Sequence, residues 1–98
     1  MYFTLIESVR KKDHYIIVCT NKMFEYIGIC KGSFQVIESR VMGLSHAEYL
    51  RYLRDVHGAL VIDTHQWYPS AYFKSTEDAK EILHLLNTRA RKIIQARK

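Results

Sequence analysis

His57, Asp63 and His65 fall close together in the chain. Asp63 and His65 stand at i, i+2, which places them on one face if that stretch is a strand. Imidazole and carboxylate are zinc ligands and general bases. The spacing has no His-x-x-x-His or Cys-x-x-Cys pattern and no clustered third ligand, so it implies no metal and no cofactor. His14, His46 and His84 read as surface or boundary residues. Cys19 and Cys30 are the only cysteines. They make no disulfide framework and read as thiols. There is no nucleophile elbow and no Ser or Cys with a base placed beside it. Nor is there a glycine-rich phosphate loop, since Gly28, Gly32, Gly43 and Gly58 are scattered. No catalytic residue is assigned, and the expectation is a non-enzymatic protein.

Charge is distributed more tellingly. Residues 1–86 hold ten Lys/Arg and ten Asp/Glu, so the formal +5 comes entirely from residues 87–98. Arg89, Arg91, Lys92, Arg97 and Lys98 are the residues concerned. Such a cluster supplies salt-dependent contacts to nucleic-acid phosphates, and it also complements the negative end of a helix dipole. On a helical wheel Arg91 and Lys98 flank one side of the apolar stripe, and Arg89 and Lys92 flank the other. Nothing resembles a helix-turn-helix, a zinc finger or the aromatic ribonucleoprotein strands.

Trp67-Tyr68-Pro69 is the other candidate. Aromatic residues on a loop anchor protein interfaces and stack on bases. A lone tryptophan in a small domain also packs readily on the core rim.

Tyr15, ten intervening residues, then Tyr26-Ile27-Gly28 resembles the hairpin of GIY-YIG nucleases. The resemblance implies that Tyr15 and Tyr26 line a metal-assisted phosphodiester site on adjacent strands. Asp13-His14 stand where that family has Gly-Ile. Val36 stands at the spacing of its helical arginine.

These residues need elements to position them. Ser75–Arg97 carries Ala79, Ile82, Leu83, Leu86, Ala90, Ile93 and Ile94 at the spacing of one helical face. Ser75 and Asp78 form a capping pair, with acids at the start and bases at the end. Core packing is expected to end near Ile93 or Ile94, leaving residues 89–98 as a basic overhanging end. Ser45-His46-Ala47-Glu48 is a second capping box. It opens a helix from His46 to about His57, with Leu44 stapled onto Tyr49 and Gly58 at its end. Ala47, Leu50, Leu53 and His57 or Val56 should face inward, and Arg51 should pair with Asp55.

The remaining stretches read as strands. Tyr2–Val9 places Phe3, Leu5 and Val9 on one face, and His14–Thr20 is β-branched and buried. Met23–Cys30 reads as a strand turned back through Asn21-Lys22, although a short helix also fits. Phe34–Val41 alternates like a fourth strand. Ala59–His65, its first half buried on both faces, and Ala71–Lys74 complete the set. The expected fold is a single two-layer α+β domain over residues 1–98, in the order ββββαββα. Its helices lie on one face of an antiparallel or mixed sheet.

No apolar run approaches a membrane span and no leader is evident. The expected setting is therefore cytoplasmic, with no membrane partner. The leading expectation is nucleic acid or nucleoprotein bound by the basic helix end. The alternative is an adaptor or inhibitor of the kind phages and mobile elements encode, which would bind a protein through the aromatic loop or a sheet edge. Either leaves room for a homodimer.

Overall fold

The computed structural model describes residues 2–9, 11–19, 34–62 and 70–96. Strands β1 (Phe3–Glu7) and β2 (Tyr15–Cys19) form one antiparallel pair, and β3 (Leu60–Ile62) and β4 (Ser70–Tyr72) form another. Between the pairs run helices α1 (Phe34–Met42) and α2 (His46–His57), and α3 (Thr76–Ala96) ends the described chain. This is the α+β architecture expected from the sequence.

The sheet is split. Phe3 faces Cys19, Leu5 faces Ile17 and Glu7 faces Tyr15. Beyond β2 a single bridge, with Tyr15 and Phe73 exchanging backbone hydrogen bonds of 2.8 Å, joins the two strand pairs. A strand residue's N–H and C=O point to one side and alternate along the chain. Ala71, two residues before Phe73, therefore turns its polar groups toward β2 as well. It meets Gln35 of α1 instead. The Gln35 Nε2 donates to the Ala71 carbonyl and the Ala71 N–H donates to Oε1, each at 3.0 Å. One side-chain amide thus stands in for the strand partner that β2 does not provide.

The core lies between the sheet's inner face and the helices. Phe3, Ile17, Ala71 and Phe73 from the strands meet Ile37 and Val41 of α1, Tyr49, Leu50 and Leu53 of α2, and Ala79, Ile82, Leu86 and Ala90 of α3. A second amide clamps β1. Asn87 of α3 accepts from the Tyr2 and Phe3 N–H groups at 2.9 and 2.8 Å. It donates to the Phe3 and Leu83 carbonyls at 3.1 and 3.0 Å.

Several expectations need correction. Residues 34–41 are helix. Their alternation is broken by burial of Gln35, Glu38 and Ser39, each with a hydrogen-bond partner for its side chain. The helix stops at Gly43, whose φ of +72° closes the end through Leu44 N–H to the Ser39 carbonyl at 2.9 Å. The first strand ends at Glu7, because Ser8 pairs with His14 to close the turn and leaves Val9 fully exposed. Leu60 is 44% exposed, since β3 pairs with β4 alone among the described residues. On α2 the inward positions are Tyr49, Leu50 and Leu53, while Ala47 and Val56 are exposed. Asp55 pairs with Arg54 at 2.9 Å, not with Arg51.

The α2 start is as the sequence requires. Ser45 Oγ accepts from the Glu48 N–H at 3.2 Å, and Glu48 Oε1 accepts from the Ser45 N–H at 3.3 Å. Ser45→Ala removes the side-chain half of this box and should lower stability by about 1 kcal/mol, or roughly 4–8 °C in thermal melting. An unchanged melting temperature would show that the box contributes nothing.

Candidate nucleic-acid interface

The basic residues ride on α3, which at 21 residues is about 31 Å long. Its first turn holds Glu77 and Asp78, and the Asp78 N–H is capped by Ser75 Oγ at 3.3 Å. Its last acid is Glu81, and its last buried residue is Ile94. Arg89, Arg91 and Lys92 are exposed. Arg97 and Lys98 lie outside the described residues.

The three arginine and lysine side chains sit differently. Arg89 lies on the flank of α3 that meets α1, and its Nε donates to the Val41 carbonyl at 3.0 Å. It therefore satisfies a carbonyl left open at the end of α1. Lys92, one turn on, follows Arg89 along the same flank. Arg91 lies on the opposite flank, one turn beyond the Asn87 that holds β1. Among the described residues the one ion pair is Arg54–Asp55, so none of these three is neutralised by a carboxylate there.

The other sequence candidates divide. Trp67, Tyr68, Asp63, His65 and Cys30 lie outside the described residues, as does Met23–Cys30 with its Tyr26-Ile27-Gly28. Tyr15 is half-buried beside the bridge to Phe73, and Val36 is on helix α1, where the sequence reading had a strand. His57 packs its ring edge-on to Tyr52 at 5.0 Å, with a 3.0 Å contact from Nε2 to the hydroxyl. Burial lowers its pKa, against the opposing pull of Glu81. Burial likewise lowers that of His46. Among the described residues no group of three His, Cys, Asp or Glu is placed to hold a metal ion.

Sequence reasoning missed Glu38. It sits on α1, 1% exposed, with Tyr49 donating to its Oε1 at 2.6 Å. Among the described residues Oε2 has no hydrogen-bond partner. Burial pushes the carboxyl up to about 8, with the Tyr49 hydrogen bond opposing. Glu38 is therefore mostly protonated at neutral pH. The Tyr49 phenol is raised well above its ordinary value, first by burial and then by Glu38. Helix α1 keeps Arg40 as its charged side chain. The signal that could have found Glu38 is its i+11 relation to Tyr49 across the Gly43 turn, visible only once both stretches are taken as helices.

No protein-family model matches the chain, and neither a characterised protein nor a solved structure does. No helix among the described residues is long and apolar enough to cross a membrane.

Proposed function

We propose that the protein is a non-enzymatic binding domain that contacts nucleic acid or a nucleoprotein through the basic C-terminal half of α3. The observation that carries this reading is a run of exposed cations, Arg89, Arg91 and Lys92, beyond the helix's last acid, on a body whose other charges balance. Its mechanism is phosphate contact with release of condensed counterions, with no bond made or broken.

The test must keep the helix. Ala90 and Ile94 are buried and Asn87 holds β1, so truncation near residue 88 would strip the core together with the charges. Neutralising Arg91, Lys92, Arg97 and Lys98 to glutamine removes four of the five charges with the helix kept, and Arg91 and Lys92 are exposed. Fluorescence anisotropy with labelled single-stranded DNA, duplex DNA and RNA should show binding that weakens steeply with salt. The neutralised protein should bind at least about tenfold more weakly. Equal binding by the two proteins, or no binding by either, would sink the reading.

A second reading, a protein adaptor or inhibitor, draws on one observation. The outer side of the strands exposes Ile6 at 45% and Leu60 at 44%, and a protein partner could cover them. It predicts binding that is indifferent to the four neutralised residues.

A further inference from the structure

The cations divide between two flanks of α3, and only one flank gains a contribution from another helix. Arg89 Nε is fixed on the Val41 carbonyl. The residue before Val41 is Arg40, exposed in the last turn of α1, and its own carbonyl accepts from the Gly43 N–H at 3.1 Å. A Cβ at Gly43 would come 3.8 Å from a terminal nitrogen of Arg89, so the guanidinium lies over that same turn. At the seam where α1 ends against α3, Arg89 therefore lies over the turn that Arg40 precedes, with Lys92 one turn along α3. The carboxyl group within α1, Glu38, is turned inward and held by Tyr49.

We propose that this seam is a phosphate-binding site for a nucleic-acid backbone, with Arg89 at its centre and Arg40 and Lys92 beside it. The inference rests on the function proposed above and adds Arg40, which lies outside the basic helix end. Anchoring through Nε matters physically. A free arginine loses side-chain entropy on binding, whereas one already fixed on a carbonyl has lost much of it in advance. Its terminal N–H groups remain a planar fork suited to two phosphate oxygens. Arg91, on the other flank of α3, belongs to the basic helix end but not to the seam.

Single substitutions separate these roles. Arg40→Gln, Lys92→Gln and Arg91→Gln each remove one charge at an exposed position, so the overall charge change is identical and only place differs. Lys80→Gln, in the first half of α3, is the charge control. Circular dichroism melts establish that each variant is folded. With the three labelled polymers above, Arg40→Gln and Lys92→Gln should each weaken binding by on the order of three- to tenfold. Each should also flatten the salt dependence by about one phosphate contact. Lys80→Gln should stay within about twofold of the wild type, and Arg91→Gln should weaken binding less than Arg40→Gln or Lys92→Gln does. If Arg40→Gln binds like Lys80→Gln while the wild type binds normally, the seam is wrong and the basic helix end survives. If Arg91→Gln is as damaging as Lys92→Gln, binding follows the whole helix end and the seam is again wrong. If the wild type binds none of the polymers, both fall together.

Discussion

Raising the pH from about 5 to about 9 should lower the melting temperature by about 10–20 °C, and Glu38→Gln should abolish most of that loss. The folded carboxyl has its pKa at about 8, against 4.5 for an ordinary glutamate. Below pH 4.5 both the folded and unfolded chains hold the proton, and the group has no effect on stability. Between the two values the unfolded chain has released its proton while the folded chain retains it, so stability falls as pH rises. Above pH 8 both are ionised and the full penalty, on the order of 3–5 kcal/mol, is in force. This is opposite in direction to a salt-bridged carboxylate, which stabilises as pH rises. The cause is geometric: the charge would sit in the core with a single hydrogen bond, from Tyr49. Glutamine keeps an acceptor for Tyr49 and has nothing to ionise. Melting curves of both proteins across that range give the answer. Parallel curves would mean that Glu38 is solvated at all pH values and does not face the core as described.

Gln35→Met should destabilise the protein by about 2–4 kcal/mol, although the new side chain is similar in size and apolar. Methionine would fill the space between α1 and β4. It would leave the Ala71 N–H and C=O buried without the partners they now have at 3.0 Å. Leaving a buried donor and acceptor unsatisfied costs more than a hydrogen bond ordinarily contributes, because their desolvation is no longer compensated. Chemical denaturation measures the loss. Amide hydrogen exchange locates it: the Ala71 N–H should become one of the faster-exchanging core amides. If Ala71 keeps its protection in the variant, β2 has closed on β4 and the amide was dispensable.

Both residues lie on α1, the helix that the sequence disguises. In α2 and α3 the signals agree with one another. Leu50 and Leu53, and Ala79, Ile82, Leu86 and Ala90, are apolar where they are buried, and Ser45 and Ser75 mark the starts. In residues 34–41 the buried side includes Gln35, Glu38 and Ser39, so polarity no longer reports burial. Ile37 and Val41 keep helical spacing, yet between polar residues they read equally as alternate positions of a strand. The partners that make the burial tolerable are Ala71, Tyr49 and the Val36 carbonyl. Two of the three are distant in sequence or beyond a turn, and no local pattern shows them. The candidate interface was legible for the same reason it is simple: Arg91 and Lys92 are exposed ends of a regular helix. The second role of Arg89 was hidden because its partner is a backbone carbonyl in a stretch taken for a strand.

The grip of Asn87 on the first strand sets the order in which this chain becomes whole. Tyr2 and Phe3 are made well before the side chain that receives their N–H groups, which comes 85 and 84 residues later. Until then β1 has, among the described strands, only β2 beside it, and a two-stranded hairpin alone is marginal in water. Helix α3 must be made, and must reach across to β1, before the Asn87 clamp closes. Closing so long a loop costs only slightly more entropy than closing a shorter one, so the late closure is no obstacle at equilibrium. It does tie assembly to synthesis: a nascent chain halted before residue 87 has every strand of the described fold and lacks the Asn87 clamp on β1.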